Sequence, residues 1–448
     1  KKGDLVVDMA QAKRGYANHI LYKGSNESAW AAMYAELLVN FPDMRGFKAE
    51  PIFKDKLFDG KLGEVTALRA TRTRDINYSA PYYVIANTSD SAVKAVNQAI
   101  RQGKKVYLTE DGYIVDTSTF ANLLGDYAIY GDALYKVPEG PNLKALKVYA
   151  PPHQFYWAGV DSPAHTALAL KNLGFDIVDT PEEADVIVLE SNKFDKSILG
   201  RKPTIVVGGS AMQRLEKLGV LDGFDAERFS GGSDFEGLMK AIIDDKDPLT
   251  SGYKKNDLFY SNSGNWIAKA PANFKTLATI ADSNYYIAGW WPGNEKLANK
   301  IVAISGNYKE HPLFVYAGNP TNRLHTVHFY RWVSNAVFGD QLAELKDMPV
   351  THKPSVEIVE ILNQKPQPKQ AGKPADKPTA PKAKEEQLES LAQKTSEAQP
   401  SATAQKATNT QQAQLPQTGS KENSALFTVA TILLATSGGL FLLKKKEA

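Results

Sequence analysis

Between Lys353 and Gln414 the chain contains no Phe, Tyr or Trp, and this gap limits where a fold can form. The stretch is rich in Lys, Ala, Gln, Thr and Ser, with prolines at 366, 368, 374, 378, 381 and 400. Such a segment buries too little apolar surface to offset the entropy of ordering its backbone. Residues 353–414 are therefore expected to form a disordered spacer. Its proline content favours extended backbone at up to ~3.1 Å per residue, enough to cross a thick wall. A packed core is confined to residues before about 340, where the composition is ordinary for a globular protein. The formal charge of +3 indicates neither a nucleic-acid footprint nor an acidic partner. The absence of cysteine removes disulfides, thiolate metal sites and thiol nucleophiles together.

Within the folded part, helices and strands alternate. Trp30, Met33, Tyr34, Leu37 and Leu38 recur at helical spacing, with Ser28 placed to cap and Phe41-Pro42-Asp43 placed to end that helix. A first α/β unit follows. Pro81 to Ala86 reads as a buried strand, and Asp90 to Gln102 carries Val93, Val96, Ala99 and Ile100 at helical spacing behind Ser89 or Asp90 as cap. Gly103 stops the helix, Lys105 to Leu108 forms the next strand, and Asp111-Gly112 turns it into Tyr113-Ile114-Val115. A second unit comprises a strand at 146–150, a helix from Pro163 to Asn172 closed by Gly174, and strands at 175–178, 184–189 and 203–207. The alternation predicts an α/β fold with a doubly wound, largely parallel sheet. Residues 255–318 read as richer in β structure, and a helix from Val327 to Phe338 closes the fold. The expected domains are an accessory α/β unit at 1–140 and a main α/β domain at 141–340.

Three features end the chain: Leu415-Pro416-Gln417-Thr418-Gly419, an apolar run over 425–443, and the basic Lys444-Lys445-Lys446. At ~1.5 Å per residue a helix of that length just spans a bilayer core, and the lysines would hold its end on the cytoplasmic side. The triple resembles the cell-wall sorting signal of Gram-positive surface proteins, here residues 415–448. The resemblance implies that a sortase thiol attacks the Thr418 carbonyl and the Thr418–Gly419 bond breaks. Thr418 then passes to an amine of a peptidoglycan precursor. Leu415, Pro416, Thr418 and Gly419 are thus a substrate motif, and the transmembrane helix is a feature of the precursor alone. The expected partners are sortase, peptidoglycan and, transiently, the membrane. Export requires a signal peptide, and none is legible in Lys1 to Val7, so the chain reads as part of a longer protein.

Two blocks carry a second resemblance. One runs from Tyr82-Tyr83-Val84-Ile85 through Ala92 to Asn97 and on to Gly103 to Tyr107. The other runs from Ala288-Gly289-Trp290 through Gly293, Glu295, Leu297, Ala298 and Pro312 to Val315, then Asn319-Pro320, His325, Phe329-Tyr330-Arg331 and Asn335-Ala336-Val337. Together they resemble the post-catalytic region of large bacterial zinc metallocarboxypeptidases of the carboxypeptidase A type. In that family a glutamine-amidotransferase-like domain follows the peptidase. The resemblance implies a zinc peptidase upstream and no cofactor in this chain.

Candidate chemistry within the chain is sparse. None of His19, His153, His165, His311, His325, His328 and His352 is followed three residues later by Glu, so no zinc ligand of that family carries over. His325 and His328 would share a helix face, which alone makes no metal site. Gly208-Gly209-Ser210-Ala211-Met212 stands where an amidotransferase places its cysteine elbow, but Ser210 reads as a helix cap and Met212 replaces the glycine of a serine elbow. Gly231-Gly232-Ser233 lacks phosphate-loop spacing. The aromatic groups Trp290-Trp291, Trp266, Phe155-Tyr156-Trp157 and Tyr285-Tyr286 read as core, the alternative being a glycan or peptide cleft. Two functions remain open: the non-catalytic part of a wall-anchored carboxypeptidase, or an adhesive binding module.

Overall fold

The computed structural model describes residues 4–348 except 29–39, 55–56, 59–61, 64–72, 74, 155–160, 163, 229–235 and 263. The spacer, the sorting signal with Leu415, Pro416, Thr418 and Gly419, the apolar run and the helix expected over 30–38 lie outside them. Among the described residues no helix is long and apolar enough to cross a membrane. Two short helices come first, α1 (Arg14–Leu21) and α2 (Phe41–Arg45). Phe41-Pro42-Asp43, read as the stop of the expected helix over 30–38, begins α2. Asn40 accepts the Asp43 N–H, and Pro42 sits in the first turn, where no partner for its nitrogen is needed.

The small sheet is built from β1 (Tyr82–Ile85), β2 (Tyr107–Thr109), β3 (Gly112–Asp116) and β4 (Gly131–Leu134), in the order β2-β3-β1-β4. Helix α3 (Asp90–Arg101) connects β1 to β2, and its Ser89 cap accepts the Ala92 N–H. Val93, Val96, Ala99 and Ile100 are buried as their spacing predicts. Every pair in it is antiparallel, the expected Asp111-Gly112 hairpin included, so the parallel sheet read from the alternation does not extend to this unit. β1 and β2 do run the same way, but the tight hairpin after β2 lays β3 into the slot between them. Helix α4 (Thr117–Asp126) follows, capped by Asp116, and its Phe120 stacks on Tyr83 at 4.3 Å.

β5 (Lys136–Glu139) leads into the large sheet, which starts with β6 (Lys147–Tyr149). After a two-residue ribbon of β7 (His153–Gln154) and β8 (Asp161–Ser162) come α5 (His165–Asn172), β9 (Asp176–Val178), β10 (Val186–Leu189), β11 (Thr204–Val207) and α6 (Gly209–Lys217). The continuous apolar runs of β10 and β11 are buried on both faces, as strands covered by helices must be. The chain then makes β12 (Asp225–Arg228), β13 (Glu236–Ile243), β14 (Asn256–Ser261), β15 (Asn265–Lys269), β16 (Lys275–Ile280), β17 (Tyr286–Trp290), β18 (Ile301–Tyr308) and β19 (His311–Tyr316). Helix α7 (Tyr330–Val337) follows, and β20 (Glu344–Asp347) returns to pair with β5.

The large sheet is mixed. Its parallel part runs β9-β6-β10-β11-β19, and the pairs beyond β19 are antiparallel. "Largely parallel" thus describes five strands. The β-rich reading of 255–318 corresponds to strands joined by short turns, which can only return antiparallel.

All eight residues of α7 are buried. Trp332 stacks on Tyr253 at 4.8 Å and Tyr316 at 5.0 Å. Asn335 Nδ2 donates to the Leu249 and Ser251 carbonyls at 3.1 and 3.0 Å, and its Oδ1 accepts from Asn87 Nδ2 at 2.9 Å. This amide pair ties the end of β1 to α7 and to the turn around Pro248–Thr250. Gly252 allows the approach: its φ is +89°, and a Cβ there would stand 1.8 Å from the Asn87 carbonyl oxygen. Gly103 has a similar φ of +72° but open space around it.

The two glycines should therefore separate conformational strain from steric exclusion. Gly103→Ala is expected to cost about 1 kcal/mol in denaturant unfolding. Gly252→Ala should cost at least about 3 kcal/mol or prevent folding, because backbone must also move. Equal losses would show that the contact at Gly252 is dispensable.

Candidate functional site

In an open α/β sheet the loops after adjacent parallel strands diverge where the strand order reverses, and ligands bind in the crevice this leaves. Here β6 is followed along the chain by β9 on one side and then β10 on the other. The crevice therefore opens between the carboxyl ends of β6 and β10. Glu190 is the first residue beyond β10, and α5 begins with His165 and Thr166. Glu190 Oε2 accepts the Thr166 N–H at 3.0 Å, at the electropositive first turn of α5. Its Oε1 lies 3.8 Å from His165 Nδ1, both side chains being four-fifths buried or more.

The loop after β19 forms the facing wall. Thr321 Oγ1 meets Thr166 Oγ1 at 2.9 Å, and the Arg323 N–H reaches towards His165 Nδ1 at 3.5 Å. Arg323 and Leu324 hold φ of +48° and +60°, an uncommon conformation for residues with side chains. An asparagine network holds them so. Asn322 Nδ2 donates to Tyr260 Oη at 2.7 Å, Asn262 Nδ2 donates to Asn322 Oδ1 at 3.0 Å, and the Asn262 N–H donates to Asn319 Oδ1 at 3.1 Å. Tyr260 in turn bonds Glu236. The Arg323 side chain is exposed on this loop, while those of Glu190 and His165 are four-fifths buried or more. The site offers a carboxylate acceptor, an imidazole and a guanidinium, which suits polar recognition.

Ser210 corrects an expectation. It is neither a cap nor an elbow: α6 starts at Gly209, the preceding Gly208 takes φ +81°, and Ser210 lies within the helix without the positive φ of a strained nucleophile. Gly209 is pressed by Asn265, whose Nδ2 would stand 1.8 Å from a Cβ at that position. His325 and His328 do not share a helix face: His325 follows one short 3₁₀ turn as its cap, and His328 lies within the next. His328 Nε2 bonds Asp257 Oδ1 at 2.6 Å, and its Nδ1 meets Arg331 Nη2 at 3.2 Å. Among the described residues no three His, Asp or Glu side chains group as a metal site.

The aromatic groups behave as core. Trp266, Tyr285 and Trp291 are buried, while Trp290 and Tyr286 are half-buried. Phe155-Tyr156-Trp157 and Gly231-Gly232-Ser233 lie outside the described residues. Ser28 Oγ accepts the Trp291 N–H at 3.1 Å and Asn294 Nδ2 at 2.9 Å, tying the N-terminal segment to the turn after β17. Sequence reading passed over Glu190, although a lone Glu directly after an all-apolar strand was a usable signal. Asp257 and Arg323 carried none.

Residues 407–448 match the family model described as the LPXTG cell wall anchor motif. The protein is accordingly secreted and attached covalently to the Gram-positive cell wall. No curated protein matches the chain. Among solved structures it is similar to a glutamine amidotransferase of Thermotoga maritima at 14% identity, over 44% of this chain and 84% of that one, with a TM-score of 0.25. A cytoplasmic protein of Salmonella typhimurium is 14% identical over 44% and 99%, TM-score 0.28. A beta-galactosidase of Bacillus circulans is 10% identical over 45% and 31%, TM-score 0.28. Scores this low carry no argument about function.

The histidines give the fold a pH dependence. Burial, with the charges of Arg323, Arg45 and His165, pushes the His325 imidazole from its ordinary 6.5 down to about 4. The unfolded imidazole takes its proton first, so stability is lost as pH falls from ~6.5 towards about 4. Burial also lowers His328, against the hydrogen bond that its ring donates to Asp257. The thermal midpoint should fall between about pH 7 and about pH 4.5, and His325→Gln should flatten part of that fall. An unchanged slope in the variant would remove His325 from the explanation.

Proposed function

We propose that the chain is a wall-displayed binding module whose crevice between β6 and β10 takes a polar ligand, a glycan or a peptide, on the outer face of the cell. The observation that supports this reading is the position of Glu190, His165 and Arg323. They gather at the topological switch point of a rigid sheet, in a unit spanning Lys1–Ser355 ahead of the wall anchor. Loops on a fixed scaffold are where binding residues concentrate. A spacer over 353–414 would carry that unit outward from the attachment point.

The anchor reading rests on Leu415, Pro416, Thr418 and Gly419 as sortase substrate. Cleavage after Thr418 leaves an acyl-enzyme on the sortase thiol, and a peptidoglycan amine displaces the thiol to form a new amide. Thr418→Val should abolish release of the protein from isolated walls by a muramidase and shift it to the membrane fraction. Wall linkage surviving that change would sink the assignment.

The binding reading is tested by retention of the chain on purified peptidoglycan, host glycans and peptide arrays. Arg323→Glu and Glu190→Gln should each weaken the retained interaction about tenfold or more, the loss of one charge-assisted hydrogen bond. Retention unaffected by both would move the site elsewhere. The second reading, the accessory part of a zinc carboxypeptidase, rests on the two residue blocks named above. It places the zinc ligands in an upstream domain, so an upstream sequence without a His-x-x-Glu pair and a later His would exclude it.

A further inference from the structure

The edge of β17 away from β13 is filled by a piece of the chain's own N-terminal segment. Asn26 lies opposite Gly289 in a parallel bridge. The Gly289 N–H donates to the Ser25 carbonyl and the Glu27 N–H donates to the Gly289 carbonyl, both at 2.9 Å. Just beyond, the Ser28 hydroxyl receives two donors from the turn after β17, the Trp291 N–H at 3.1 Å and Asn294 Nδ2 at 2.9 Å. Ser25–Ser28 is thus a short added strand that ends on a hydroxyl cap.

The receiving edge is specific. Gly289 holds φ +112°, and a Cβ there would stand 2.3 Å from the Glu236 carbonyl oxygen. What it receives is recognised mainly through the backbone, as in strand addition to an open sheet edge. Ser25 and Asn26 are exposed, and Glu27 and Ser28 are half-buried.

The hold on this strap is polar and local. None of the described residues between 4 and 28 is buried, those of α1 included. The Lys23–Glu50 ion pair at 2.6 Å is solvent-exposed and adds little. A segment that buries no apolar side chain opens at the low-stability end of a fold. The edge it leaves then offers the N–H and C=O of Gly289 to another strand.

Three observations argue for a second copy of this chain as that strand's source. Ser25-Asn26-Glu27-Ser28 is the sequence seen to satisfy Gly289, Trp291 and Asn294 together. Attachment to the wall holds copies on one surface, which raises the effective concentration of the segment for a neighbour. The same segment exposes Leu5, Val6, Val7 and Met9, apolar surface suited to cover by another molecule.

We propose that the outer edge of β17 is a strand-exchange site, closed by Ser25–Ser28 within one chain and by the same residues of a second copy between neighbouring chains. The test uses the chain ending at Thr418 and a fluorescent peptide of the sequence Tyr22 to Ser28. Glu27→Pro removes the N–H that the Gly289 carbonyl accepts and so unseats the chain's own strap. Ser28→Ala is the milder second variant, loosening the strap through its cap alone. Expected is saturable peptide binding to Glu27→Pro, at least tenfold weaker binding to the unaltered chain, and an intermediate affinity for Ser28→Ala. Sedimentation should show a concentration-dependent dimer of the unaltered chain that Glu27→Pro loses. No saturable binding to either variant, equal binding of a scrambled peptide, or an unaltered chain that stays monomeric at its highest soluble concentration would each overturn the proposal.

Discussion

The paired amides of Asn87 and Asn335 are the contact on which the arrangement of the two sheets depends. They lie at the centre of the fold, 1% and 0% exposed, and their hydrogen bonds close onto the carbonyls of Leu249 and Ser251. Apolar packing alone would allow α7 to slide or rotate against the small sheet, since dispersion contacts are individually weak and non-directional. A buried amide permits one register, because any other leaves carbonyls unsatisfied at about 1–3 kcal/mol each. Gly252 is the backbone counterpart of this contact, the one residue type that fits against the Asn87 carbonyl.

From that fixed helix the candidate crevice is positioned in turn. Trp332 of α7 packs on Tyr316 at the end of β19, which sets where the Asn319–His325 loop leaves the sheet. The asparagine network then holds Arg323 and Leu324 in left-handed backbone, a strain borne where the loop faces Glu190 and His165. A rigid polar crevice on a chain held to the wall is consistent with recognition of something outside the cell.

Much of the local structure was legible before any coordinates. The runs of β10 and β11, the amphipathic α3 with its Ser89 cap and the Gly174 stop after α5 all follow from period, burial and turn chemistry. Strand neighbours were not legible. The order strand, helix, strand is the same whether β3 lies outside the pair or between it, and only packing decides. Ser210 misled because a small polar residue after two glycines reads as a cap, whereas Gly208 had already made the turn. The site was half visible: Glu190 ends a recognisable strand, but Arg323 acquires its role from a loop conformation fixed by residues about sixty positions away.

The sequence by itself determined the protein's destination, because a sorting signal is read by an enzyme as a linear motif and needs no fold to be recognised. Only the tertiary structure decided which strands are neighbours, which glycines are obligatory and which polar side chains meet. His328 and Asp257, or Asn87 and Asn335, are far apart along the chain and carry no local signal of each other. Their pairing is a property of the packed state, where a buried polar group must find a partner or cost the fold its stability.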